Sequence, residues 1–483
     1  MNSASGVALA TSLPGASTIA IGLVAALVVI AALVLVMRCY DDAFALLAIF
    51  ALPFRVPISA DGKTVNLLIP LYLVVAAGTI AHVLARVTTR RSTAAAELGT
   101  SATVSAPAGR DAGGSPALEA ASTPAKLPSW LWTSPRGLEW LLLAAVGLYA
   151  VQAIYSSDHA RAAENVAFFY IPFTLLFLLL RDVRWRRELL LRCLGVAVAL
   201  AVLFAGIGFI EYARKSLFLN PKVVAANQYD NYFRVNSLFF DPNIYGRFLA
   251  LVMIAVSTVV LWSARRRDIL LGAAALAWLL GALVTSFSQS SIAALLLGLA
   301  VLAAVRWDVR GTLYASLGLA ALAVAVVLLA PASLHFGLKG SRGSTSNATS
   351  GRTKLISGGL ELFAKRPLEG FGSGSFETEY EHHSETTAAN ATSASHTIPV
   401  TVAAEQGIVG LTVYLSLLLA AFLVLFRGAG RSPPRIALAA CFAALVLHTW
   451  TYADFLEDPF TWAILAVGVA LARGAQAEEA SSF

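Results

Sequence analysis

An imidazole at His396, guanidinium groups at Arg352 and Arg234, and a carboxylate at Glu405 fall in or beside polar segments of a chain that is otherwise strongly apolar. Arginine presents a fork of N–H donors that grips phosphate or carboxylate oxygens in pairs, and an imidazole exchanges a proton near neutral pH. A set of this kind suits the recognition of an anion. A single histidine at a membrane boundary is more often structural than reactive, so the weight rests on the combination and on all four lying toward one face.

Three further segments supply candidates. In RVNSLFFDPNIYGRF, residues 234–248, Asp241-Pro242-Asn243 offers a turn and helix start before an apolar run, and Asp241 is expected to cap that helix. Asn243 follows as a candidate polar contact to a substrate. Arg247 lies one turn inside, where a charge is costly unless paired or wet; it either snorkels outward or lines a cavity. The turn TSFSQSS, residues 285–291, joins two apolar runs with almost no loop. Its serines and Gln289 either line a polar pocket or cap helix ends and bond across helices. Residues 351–376 open with Arg352 and carry Leu355, Ile356, Leu360, Leu362 and Phe363 at helical spacing, the pattern of an amphipathic helix. Pro367 ends it, and Gly370, Gly372 and Gly374 permit a tight turn that can approach a ligand.

The elements that must position these residues are membrane spans. Hydrophobic residues make up 58% of the 483, charged residues 13%, and the mean hydropathy is +0.73, which excludes a soluble domain of this size. Apolar runs of about 20 residues near 19–38, 42–57, 66–86, 138–155, 164–180, 188–211, 243–262, 268–286, 288–305, 312–331, 399–426, 436–453 and 457–473 predict an all-α, polytopic transmembrane helical bundle of about 12–13 spans with a large, partly helical outer loop. The runs are continuous rather than alternating, which argues against a β-barrel. Arginine clusters at 86–91, 181–187, 265–267, 306–310 and 427–435 recur at every second connection, and the positive-inside rule assigns those connections to the cytoplasm. Residues 156–163, 212–242, 332–398 and 454–456 then lie outside, and the anion site faces outward.

The formal charge of +7 follows from these topogenic clusters, so no nucleic-acid partner is implied. Cys39, Cys193 and Cys441 lie in or beside separate spans, a spacing that suggests neither a disulfide framework nor a metal site. The first apolar run follows a stretch without Lys or Arg, so it reads as a retained helix rather than a secretory signal. Residues 87–136 are rich in Ala, Ser, Thr, Gly and Pro and read as a disordered cytoplasmic linker. The expected organisation is thus N-terminal membrane helices over 1–86, the linker over 87–136, central membrane helices over 137–331, an outer catalytic loop over 332–398, and C-terminal membrane helices over 399–483.

The order of DPNIYG, FSQSS, an Arg352-led helix running into RPLEGFGSGSF, then Ser395-His396 followed by AAEQGIVG, resembles the O-antigen ligase and polymerase superfamily of bacterial envelope proteins over roughly residues 200–430. By that resemblance His396 matches the family's essential histidine and Arg352 the arginine of the same periplasmic loop. Gln289 stands where the family usually has Arg, and Thr397 where it usually has Asn. The resemblance implies a metal-independent glycosyltransferase without a cofactor, in the bacterial cytoplasmic membrane. It would move a glycan from a polyprenyl pyrophosphate donor to a hydroxyl on a glycan, lipid or protein acceptor. Arg352 and Arg234 would then stabilise the departing pyrophosphate, and His396 would take the acceptor's proton. Asn243, Arg247, Gln289, Glu405 and Gly372 would line the substrate.

Two other readings stay open at this level. His82, Glu405, His448 and Asp454 can be read as polar stepping stones of a transporter, although His82 and Asp454 fall near span ends rather than at mid-membrane. Gln289 in place of Arg leaves room for a non-catalytic scaffold of a polysaccharide assembly complex.

Overall fold

A computed structural model describes residues 16–60, 63–100, 130–218, 233–314, 344–384, 397–452 and 454–481. The chain is an all-α membrane bundle with one small β-hairpin. In order it forms α1 (Ala16–Cys39), α2 (Ala43–Ala51), β1 (Val56–Ala60) paired antiparallel with β2 (Lys63–Leu67), α3 (Ile69–Thr100), α4 (Trp130–Thr133), α5 (Pro135–Gln152), α6 (His159–Asn165) and α7 (Ile171–Arg181). There follow α8 (Arg187–Arg214), α9 (Pro242–Trp262), α10 (Arg266–Thr285), α11 (Gln289–Arg306), α12 (Ser344–Lys365), α13 (Phe376–Ser384), α14 (Ile398–Phe426), α15 (Pro433–Thr451) and α16 (Pro459–Ser481). A π-helical turn, Val166–Tyr170, joins α6 to α7 into one span.

Ten spans among the described residues are long and apolar enough to cross a bilayer. The expected span at 312–331 lies largely outside the described residues, and that at 138–155 is the 18-residue α5. Helix α3 runs on to Thr100, so the boundary expected at residue 86 falls inside a helix. The run after Arg91, STAAAEL, contains three alanines, the best helix former, and carries the helix past the apolar stretch.

The expected span at 42–57 crosses, but not as a helix. Asp42 pairs with Arg186 at 2.9 Å and Arg192 at 3.2 Å on the arginine-rich face, whereas Arg55 lies within electrostatic reach of Glu457 and Asp458 on the opposite face. Ala43–Leu52 in helical conformation at about 1.5 Å per residue and Pro53–Arg55 at no more than about 3.3 Å each cover at most roughly 25 Å, somewhat short of the ~30 Å hydrocarbon thickness. Pro53 stops the helix, and Ala51, Leu52 and Pro53 are buried, as irregular backbone at membrane depth must be.

Helix α9 is the most enclosed span and packs against α8, α10, α11 and α15. Its apolar residues run all round, the pattern of a central helix rather than a lipid-facing one. On the arginine-rich face, Glu139 of α5 accepts from Arg181 at 2.7 Å and from Arg473 of α16, tying three spans together. The starts of α6, α9, α11, α14 and α16 all lie at the other face. Their positive dipole ends therefore lie at that face.

Candidate functional site

The glycine-rich turn after α12 is clamped between α14 and the loop following α5. Glu405 of α14 accepts from the Gly374 amide at 3.0 Å and the Phe376 amide at 3.2 Å through its two carboxylate oxygens, and its carbonyl accepts from the Gly372 amide at 2.8 Å. From the other side the Ser156 hydroxyl donates to the Ser373 carbonyl at 2.8 Å, and the Ser157 amide to the Phe371 carbonyl at 3.2 Å. Gly372 has φ +96°, and a Cβ there would collide with the Ser156 backbone; Gly407, at φ +64°, breaks α14 where a Cβ would meet the Leu368 carbonyl. Gly372 therefore serves close backbone packing. Gly372→Val should displace the turn and cost at least about 1–3 kcal/mol through the disallowed backbone alone, seen as a lower unfolding temperature and faster proteolysis between residues 366 and 376.

Above this turn the amphipathic helix α12 packs on α14 instead of lying free. Leu355, Leu362, Phe371, Phe376, Tyr380 and Ala404 form a separate small core, and Phe376 stacks on Tyr380 at 5.8 Å. Leu360 stays exposed. Arg352 lies within α12, which begins eight residues earlier at Ser344 rather than at Arg352.

A second polar group forms where α9, α11 and α15 meet. Asp241 caps α9, its side chain accepting from the Asn243 amide at 2.6 Å. The Asn243 side-chain oxygen accepts from Arg234 Nη2 at 3.3 Å and from the Ser288 hydroxyl at 2.9 Å, while Arg234 Nε donates to the Ser286 carbonyl at 3.3 Å. Buried Glu211 of α8 holds this loop by accepting from the Ser237 amide at 2.8 Å, and the Val235 amide donates to the Thr285 carbonyl at 3.2 Å. Beneath lies His448 of α15, fully buried, with Nε2 at 3.1 Å from the Ser291 hydroxyl. The serines of 285–291 thus both cap α11 and line a polar group, and Gln289 points outward as an exposed residue of the first turn.

Between the two groups runs the segment 454–457. It lines a cleft of about 670 Å³, counting open space at the mouth, together with Tyr149, Arg161, Asn165, Tyr170, Thr401 and Glu405. Asp454 and Glu457 face Arg161 there, and burial together with the neighbouring Asp454 carboxylate pushes Glu457 upward from the usual carboxylate range. Asp458 continues into a fully buried ion pair, its Oδ2 3.0 Å from Arg247 Nε. Burial also raises Asp458, with Arg247 opposing the shift. Arg247 therefore neither snorkels nor lines an open cavity. It neutralises a buried carboxylate under the cleft floor.

The structure brings Arg234 and Asn243 together, sets Glu405 and Gly372 in the neighbouring clamp, and pairs Arg247 with buried Asp458. His396 lies outside the described residues. Thr397 begins α14 immediately after it, and Ile398, Thr401 and Val402 of that first turn line the cleft. Sequence reasoning passed over Arg161, Arg55, Glu457 and Asp458, and it weighed Asp454 and His448 only as stepping stones of a transporter, not as parts of the cleft and the serine group. One signal was available: Asp458-Pro459 repeats Asp241-Pro242, and Asp458 likewise accepts from the amide two residues on, Phe460, at 3.0 Å.

No curated protein matches the chain. A family model described as O-antigen ligase matches residues 274–415, the stretch from α10 through the glycine-rich turn to the middle of α14. That stretch holds Gln289, Arg352, Gly372, His396 and Glu405, and the clamp of Glu405 on the turn is its structural centre. Residues 274–415 of this multi-pass membrane protein are thus similar to the O-antigen ligase family.

Proposed function

We propose that the protein is a glycosyltransferase that moves a glycan from a polyprenyl pyrophosphate donor to an acceptor hydroxyl, on the face of the cytoplasmic membrane opposite its arginine-rich connections. The observation that carries this reading is the cleft at that face. It is walled by the first turn of α14, directly after His396, and Arg234 held on Asn243 lies at the same face. The family match supports the same class of chemistry.

In the proposed reaction the acceptor oxygen attacks the anomeric carbon as the bond from that carbon to the pyrophosphate oxygen breaks. The acceptor's proton passes to His396, and the polyprenyl pyrophosphate leaves as an anion. Charge on the leaving oxygens would be met by Arg234 and Arg352 and by the helix starts at this face, which attract anions without a bound metal. The polyprenyl tail would stay in the bilayer beside the spans. Glu405 acts in this scheme through the turn it holds.

Arg234→Ala should lower the rate of transfer by about 10²-fold or more, in the range of a lost preorganised donor, and leave the unfolding temperature close to wild type because Arg234 is only half-buried. Asn243→Ala should give a smaller loss, about tenfold, because Arg234 keeps its second hydrogen bond to the Ser286 carbonyl. Initial rates on a polyprenyl pyrophosphate-linked glycan check both. Wild-type rates in Arg234→Ala would remove this arginine from the site.

A further inference from the structure

On the arginine-rich face, Arg427, Arg431 and Arg435 wall a cavity of about 790 Å³ together with Thr133, Pro135 and Gln476, between α5, α14, α15 and α16. The cavity is shaped by the connection from α14 to α15. Gly428 takes φ +68° and a single 3₁₀ turn, Ala429–Arg431, follows. This swings the three arginines around one space. Arg435 is fixed within it, its Nη2 donating to the Arg427 carbonyl at 2.6 Å, a carbonyl left over at the end of α14.

A second, almost wholly apolar groove of about 810 Å³ adjoins it and shares Thr133 and Arg427 as a common wall. Phe422, Leu423 and Phe426 line that groove. Leu423 and Phe426 continue an exposed stripe on α14 through Leu419 and Leu415, each 36–51% accessible, at the three- and four-residue spacing of one helix face. A basic chamber opening at membrane-boundary depth onto a lipid-facing apolar groove has the two-part form of a phospholipid. Guanidinium forks match the phosphate oxygens, and the groove matches an acyl chain.

We infer that the chamber formed by Arg427, Arg431 and Arg435 binds the phosphate headgroup of an anionic glycerophospholipid from the adjacent leaflet, with one acyl chain lying along Leu423 and Phe426. The site lies at the far ends of the spans from the cleft. It neither uses nor depends on the proposed transfer chemistry. Basic pockets between spans at this boundary are suited to anionic headgroups. Here the occupied site would also join α5 to the α14–α15 connection.

The experiment is native mass spectrometry of the full-length, delipidated protein titrated with phosphatidylglycerol, phosphatidylcholine or water-soluble glycerol 3-phosphate. Wild type is expected to retain one phosphatidylglycerol at a concentration about tenfold below that needed for phosphatidylcholine. Arg427→Gln/Arg431→Gln should erase that preference. Leu423→Glu should weaken phosphatidylglycerol retention with the arginines intact, and Arg265→Gln/Arg266→Gln, at another basic connection, should change nothing. Equal retention of the two lipids by wild type, or an unchanged preference in Arg427→Gln/Arg431→Gln, would overturn the inference. So would full displacement by glycerol 3-phosphate at equal concentration, which marks an anion site without a lipid.

Discussion

His396→Ala is expected to lower the rate of glycan transfer by about 10²- to 10⁴-fold, the usual contribution of a positioned general base, while the protein folds and inserts as wild type does. The reasoning rests on its position in the chain. Thr397 begins α14, and the next turn, Ile398, Thr401 and Val402, walls the cleft beside Arg161 and Glu405. A second readout separates a base from a structural histidine. An imidazole with an ordinary value near ~6.5 is competent only when deprotonated, so the wild-type rate should rise with pH and level off above that value. His396→Ala should lose that limb along with the rate. A variant that keeps the pH profile at reduced rate would assign the proton to another group, and Glu457, pushed upward by burial and Asp454, is an alternative in the cleft.

Arg247→Ala is expected to fail in a different way, by destabilising the fold. Arg247 and Asp458 are 1% and 0% exposed and 3.0 Å apart. Removing the guanidinium leaves a carboxylate buried without its counter-charge, a loss of about 3–5 kcal/mol in comparable pairs. Asp458→Asn should cost less, because the amide oxygen still accepts from the Phe460 amide and keeps the start of α16 capped. Arg247→Met combined with Asp458→Asn should recover much of the stability, since replacing both charges removes the desolvation cost as well as the attraction. Thermal unfolding in detergent distinguishes the three variants. A double variant no more stable than Arg247→Ala would mean that Arg247 serves something other than Asp458. The contrast with Arg234→Ala, which should affect rate and spare stability, separates two arginines that the sequence left as rivals.

Much of the site was legible because the relevant signals are local. Asp241 caps α9 where Asp-Pro-Asn announced a helix start, and the serines of 285–291 cap α11 across an almost loop-free turn. Pro367 and the glycines after it mark a tight turn in any context. Their purpose required the fold: Gly372 is small because Ser156 packs against it, from a loop more than 200 residues away.

What was missed is tertiary. The charge of Arg247 could be known to need a partner, but nothing local named Asp458 as that partner. Residues 454–456 looked like a short connection, and only the packing of α15 and α16 against α14 makes 454–457 a cleft wall. Hydropathy read residues 42–57 as a helix because their composition is right for one. Pro53 instead ends the helix after nine residues, and a buried turn carries the chain on. The all-α membrane class was secure from composition alone, since burial in lipid demands it of any run this apolar.

The most direct measurement uses the purified, detergent-solubilised protein with a polyprenyl pyrophosphate-linked glycan, with and without candidate hydroxyl acceptors, and quantifies free polyprenyl pyrophosphate. Release that requires the acceptor, matches the amount of glycosylated product and is lost in His396→Ala is the expected result. No release from folded wild-type protein across several donors and acceptors, or equal release by His396→Ala, would contradict a glycosyltransferase working through this cleft.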